Sequence, residues 1–107
     1  MMETIYGEAE ELGNLAQYQK GVVVSREIIQ KKTGTLTLFA FDKDQGLSEH
    51  TAPFDAFVYI LDGKAEITLS GKPQIVKGGE AIIMPANEPH ALKAIEAFKM
   101  LLVMIRE

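Results

Sequence analysis

Cysteine is absent from the 107-residue chain, which removes disulfides, thiolate nucleophiles and sulfur-ligated zinc together. Stability must then come from packing, helped by a partner subunit. A surplus of basic charge is missing as well: 11 lysines and arginines stand against 15 aspartates and glutamates, for a net charge of -4. Beyond Gln30 to Lys32 no segment gathers cations, so nothing attracts a phosphate backbone and no nucleic acid partner is expected. Long apolar runs are lacking too. The longest, Phe54 to Leu61, is broken by Asp55 and falls well short of a bilayer span. The N-terminal stretch starts acidic, without the basic start or apolar centre of a secretion signal, so a cytoplasmic protein with no membrane partner is expected. Ser25, Ser48 and Ser70 sit in strand or turn contexts rather than at a nucleophile elbow. Gly78 and Gly79 lack the lysine and hydroxyl that a phosphate loop requires after them. No spacing of carboxylates supports paired-acid hydrolysis.

What is present is a strand pattern. Hydrophobic residues make up 47% of the chain and charged residues 24%, the balance of one folded domain. Glu8 to Gln19 has the apolar spacing of one or two short helical turns, interrupted by Gly13. From Gly21 onward β-branched and apolar residues alternate with turn signals. The spacing predicts strands over Val22 to Ile29, Thr35 to Phe41, Lys64 to Leu69, Pro73 to Val76, Ala81 to Met84, His90 to Ile95 and Phe98 to Ile105. Between them, Asp44 to Gly46 reads as a loop. His50 to Leu61 reads as a strand, or a pair of strands, bent near Pro53. Many short strands at regular spacing with one helical candidate predict an all-β barrel or sandwich. Residues 1–20 form a helical extension in this reading and residues 21–107 the barrel.

Both histidines of the chain lie in two stretches, HTAPFDAFVYILDG from His50 and GEAIIMPANEPHALKA from Gly79. His90 follows a proline-flanked turn, which lets it meet His50 across a barrel interior. Together the stretches resemble the two motifs of the cupin superfamily, small jelly-roll barrels of the double-stranded β-helix type that hold a ligand or a metal. Gly46, His50, Ala52, Ala56 and Gly63 occupy the places of the first motif, and Gly79, Pro85, Asn87, His90 and Ala94 those of the second. The likeness runs from about Thr35 to Ile105. Asn87 stands where the family has glycine, and asparagine also tolerates a left-handed backbone.

The resemblance implies a metal site whose four usual ligand positions fall on His50, Ala52, Ala56 and His90. Two of these are alanines, which bind no metal. Glu49 and Asp55 each neighbour a site residue and on a regular strand face the other way, whereas Glu88, in the turn before His90, is the best stand-in for a third ligand. The preferred reading is therefore a small-molecule-binding cupin without the usual metal centre, and no cofactor is expected. Its pocket is lined by His50, Ala52, Ala56 and His90, with Phe54 and Met84 as walls. The alternatives are a metal-dependent oxygenase or isomerase, with iron, manganese, nickel or zinc on His50 and His90, and an interaction domain with a vestigial pocket. The resemblance also implies a homodimer, which the outward apolar residues of Phe54 to Leu61 suit. Arg26 is a further candidate to hold an anion if its strand turns it inward.

Overall fold

The computed structural model describes residues 6–106. Nine strands are formed among them: β1 (Val23–Lys31), β2 (Gly34–Phe41), β3 (Gly46–His50), β4 (Ala56–Asp62), β5 (Lys64–Leu69), β6 (Lys72–Lys77), β7 (Ala81–Met84), β8 (His90–Ala94) and β9 (Phe98–Ile105). They build a five-stranded sheet in the order β1-β2-β9-β4-β7 and a four-stranded sheet in the order β3-β8-β5-β6. Every pairing is antiparallel. This is the expected all-β jelly roll.

Of the two readings of His50 to Leu61, the pair of strands broken near Pro53 is the one formed. His50 to Leu61 is not a continuous strand: His50 ends β3, residues 51–55 form a loop, and Ala56 opens β4 in the other sheet. Gly46, read as loop, begins β3 instead. Pro53 is the cause, because a residue without an N–H cannot extend a ladder, and the chain uses the break to change sheets. The helical candidate is a single 3-10 turn, Leu12–Leu15, in the middle of the segment assigned helical turns. Residues 1–5 of the assigned N-terminal extension and Glu107 lie outside the described residues.

The interior follows from strand parity. Phe41, Val58, Ile60, Ala65, Ile67, Ala94, Phe98 and Met100 are fully shielded from solvent and fill one end of the barrel. Phe41 and Phe98, registered opposite each other, stack with ring centroids 4.4 Å apart and planes 8° from parallel. A second cluster lies outside the barrel, where Leu15 and Ala16 cover Ile28, Leu38 and Ala40 on the outer face of the five-stranded sheet. Lys99 donates from Nζ to the Gly13 carbonyl at 2.6 Å, and Tyr18 donates to Asp62 at 2.7 Å, so the N-terminal segment is tied to β9 and β4 by polar bonds as well. Arg26 lies on this outer side, donating to the Leu15 carbonyl at 3.4 Å, and so does not project inward.

The rest of the outer face is uncovered. Phe57, Tyr59, Ile83 and Ile105 remain exposed there. Among the described residues, no helix is long and apolar enough to cross a membrane.

Candidate functional site

Sheet register decides which side chains meet at the barrel's other end. On the five-stranded sheet, Thr35 pairs with Met104, Met104 with Ala56, and Ala56 with Met84, so these four form one inward row. On the facing sheet, Leu69 pairs with His90 and His90 with His50, which makes the opposing row. Two loops join the rows, residues 51–55 and 85–89. They are held together by Asn87 N–H donating to the Ala52 carbonyl at 2.7 Å and Ala86 N–H donating to Asp55 at 2.9 Å. Asn87 has φ 67°, the left-handed conformation expected of it.

His50 reaches this row only through a bulge. Leu47 pairs with Leu92 and His50 with His90, so three steps along β3 match two along β8. On a regular strand His50 would face away from Leu47, toward solvent; the extra residue turns it back to the interior side.

The two imidazoles then touch. Their Nε2 atoms stand 3.1 Å apart, with ring centroids at 4.3 Å and planes crossing at 71°. Each Nδ1 is committed to the backbone, His50 to the Ser48 carbonyl at 2.8 Å and His90 to the Glu88 carbonyl at 3.2 Å. A carbonyl only accepts, so each Nδ1 carries the proton and each neutral ring presents a bare Nε2 lone pair. Two acceptors therefore face each other, and only a proton or a donor brought from outside satisfies them.

His90 is 5% exposed, whereas His50 is exposed. Burial, followed by the neighbouring His50, holds the His90 pKa below the usual imidazole value, against a smaller upward pull from the Glu88 carbonyl. The folded state thus takes up its proton at lower pH than the unfolded chain, whose reference value is 6.5. Across that window the unfolded state binds more protons, so this contribution to stability is present above about pH 6.5 and is lost as pH falls through the folded pKa. Urea midpoints measured from about pH 7 down to about pH 5 should fall more steeply for the parent than for His90→Gln. Parallel profiles would remove His90 as the source.

Other candidates are placed less simply. Ala56 and Met84 are buried, 2% and 3% exposed, and belong to the inward row. Ala52 lies in the loop after β3 and not on the strand beside His50. Phe54 lines an outer groove of about 840 Å³ with Phe57, Ile83 and Ile105, under the Arg106 guanidinium 5.2 Å from its ring centroid. The walls of that groove are outward side chains, and it contains neither histidine. Glu88 does not reach the pair: its carboxylate accepts from the Ser70 hydroxyl at 2.8 Å. Asp55 is spent on the Ala86 N–H, in a loop and not on the back of a strand. Glu49 is exposed on β3.

The donor set can be judged against a resident metal. Two imidazole nitrogens converge, two alanines occupy the remaining positions, and among the described residues no group of three histidine, cysteine, aspartate or glutamate side chains comes together. Such a set does not fit a conventional centre, which needs three or more protein ligands.

Sequence reasoning missed Thr35. It is 7% exposed, and its Oγ1 is buried with no hydrogen-bond partner among the described residues. The alternation of TLTLFAF was the available signal, since it places Thr35, Thr37, Phe39 and Phe41 on one face. Burial along that face also separates the two ends. Phe98 and Met100 are fully buried on β9 while Leu102 and Met104 are half-buried, and Phe39, Leu47 and Leu69 are likewise only partly covered. Solvent cover is thus tighter toward the Phe41–Phe98 end and partial toward the histidine end, where Leu69, Met104 and His50 are not fully buried.

An antiparallel two-sheet roll with two motif histidines at its open end defines a small double-stranded β-helix barrel. The chain belongs to the cupin domain family, whose model matches residues 37–106. It is similar to the solved structure of a conserved protein of unknown function from Streptococcus pyogenes, with 38% identity, a TM-score of 0.93, and 97% of this chain and 91% of that chain covered. A cupin 2 conserved barrel domain protein from Leptotrichia buccalis matches at 41% identity and a TM-score of 0.85, covering 88% of this chain. The match spans 46% of that protein's length. A cupin superfamily protein from Desulfitobacterium hafniense matches at 26% identity, with a TM-score of 0.86 and 90% and 88% of the two chains covered. Among curated proteins, none matches this chain.

Proposed function

We propose that this protein is a small-molecule-binding cupin that works without a resident metal, taking an organic ligand at the open end of the barrel. One observation carries the reading: two Nε2 atoms 3.1 Å apart, each ring fixed by its Nδ1 bond to a backbone carbonyl, with no other donor reaching them among the described residues. A ligand hydroxyl or N–H directed at that point satisfies both rings in alternation. Half-buried Phe39, Leu47, Leu69, Leu102 and Met104 supply apolar walls for its body. Alanine at positions 52 and 56 fits the same reading, because a methyl group there leaves room where a ligating side chain would stand.

Native mass spectrometry on protein purified without chelator or affinity-tag metal, paired with elemental analysis, tests this. The expected result is a noncovalently bound organic molecule, lost in a His50→Ala and His90→Ala double variant that still folds by circular dichroism. Stoichiometric iron, manganese, nickel or zinc, lost in the same variant, overturns it in favour of the metal-dependent enzyme. A parent protein carrying neither, and taking up no small hydroxylated compound, overturns it in favour of an interaction domain. The same spectra report assembly. Pairing of two copies is supported by the uncovered apolar face around Phe57, Ile83 and Ile105, and a monomer alone would count against it.

A further inference from the structure

We infer that Thr35 is a second polar contact for the ligand, so that the molecule bound is one with two polar groups: a hydrogen-bond donor for the histidine pair and a hydroxyl or carbonyl for Thr35. The inference rests on the binding reading above and adds the ligand's chemistry to it. Thr35 starts the inward row Thr35, Met104, Ala56, Met84, and His50 and His90 end the row on the facing sheet, both at the end of the barrel spanned by the tied loops. The inner faces of packed sheets lie about 10 Å apart, a gap that one small molecule bridges once side chains from both sides project into it.

Thr35 stands out because nothing among the described residues uses its hydroxyl. Buried polar atoms are almost always hydrogen-bonded, and an orphan in a native fold calls for a partner from elsewhere. Here Oγ1 is buried and unpartnered, while its neighbour Met104 is only half covered. The other inward residues of the two rows are apolar apart from the histidines, so the site offers two polar contacts separated by hydrocarbon. A small alcohol, enol or hydroxy ketone matches that pattern; a purely apolar guest, or a strong anion facing two lone pairs, does not.

Thr35→Val keeps the β-branched shape and removes only the orphan hydroxyl, and it separates this role from a structural one by sign. In ligand-free protein the variant should melt higher, by about 4 °C or more, since an uncompensated buried hydroxyl is destabilising. Its binding should change selectively. Cyclohexanol and the three cyclohexanediols serve as probes, titrated while the histidine ring signals are followed by NMR. With Thr35 in place, at least one diol should bind roughly fivefold tighter than the mono-alcohol, the increment of one neutral hydrogen bond. In Thr35→Val that preference should vanish, with cyclohexanol itself little affected. A diol preference unchanged by the substitution overturns the inference and leaves the histidine site standing. A lower melting temperature for the variant overturns it too, by showing the hydroxyl already satisfied. If no probe shifts the histidine signals, the binding reading falls with it.

Discussion

Gly63→Ala should lose at least about 3 kcal/mol of stability, enough to leave much of the protein unfolded at physiological temperature. Gly63 is the single residue joining β4 to β5, and its φ of 86° lies where side chains are strained. Strain is the smaller part. A Cβ at this position would be driven into the Ala97 carbonyl and would lie 2.7 Å from Phe98 Cα. Both are backbone, so no rotamer change relieves the clash; β9 would have to move, and with it Phe98. Gly71→Ala is the control, because Gly71 has a similar φ of 82° with nothing within 4 Å of the added carbon. It should cost only about 1 kcal/mol, the left-handed penalty alone. Equal urea midpoints for the two variants would mean that the close approach at Gly63 is not what holds this corner.

Phe98→Ala should cost about 3–5 kcal/mol, a large share of the 5–15 kcal/mol typical of such a domain. Phe98 is fully buried and stacked on Phe41, at the end of the barrel where Phe41, Ile60, Ile67 and Met100 are fully buried around it. Collapse around the void is restricted there, because Phe41, Ile60, Ile67 and Met100 are themselves fully shielded and have no slack to move into. Phe98→Leu should recover most of the loss. For comparison, Phe57→Ala removes a ring that is 40% exposed on the outer face and should cost far less in the isolated subunit. If Phe57→Ala proved as damaging as Phe98→Ala, the division into a packed end and an open end would be wrong. That division matters for function: a rigid closed end lets the histidine end remain incompletely filled without the sheets separating.

The motif glycines show how much of the fold was legible. Gly46 and Gly63 both stand where another strand's backbone passes too close for a side chain. At Gly46 the neighbour is the Leu92 to Lys93 segment, with Lys93 Cα 3.1 Å from a would-be Cβ. Their spacing in the chain therefore marks the barrel's corners, and the family resemblance rested on real steric requirements. The alternation of TLTLFAF and of FVYILD likewise specified which residues turn inward, through the period-two geometry of any strand.

The site was legible in its members but not in its geometry. His50 and His90 could be named because they are the only imidazoles in the chain, and the resemblance placed them together. What a strand pattern cannot carry is a bulge, since one additional residue reverses parity without leaving a mark in hydrophobicity. The bulge before His50 hid the direction of that side chain, whereas assigning Ala52 to the same strand failed because Pro53 ends pairing there. Phe54 similarly belongs to the loop, which turned it to the outer groove under Arg106. Thr35 could be put on the inner face but not recognised as unpartnered, because hydrogen-bond satisfaction depends on what the other strands bring near it.

The strand pattern from Gly21 onward, with Gly46 and Gly63, thus determined a barrel and its corners, while the loss of two ligand positions to alanine is what the family resemblance implied. Those properties follow from residue type and spacing, which act locally. Only the tertiary structure decided that the two histidines meet through Nε2 with their other nitrogens spent on backbone carbonyls, that Glu88 is drawn away by Ser70, and that a threonine hydroxyl on the other sheet is buried without a partner among the described residues. These depend on register between strands distant in sequence, and register is set by the whole sheet at once.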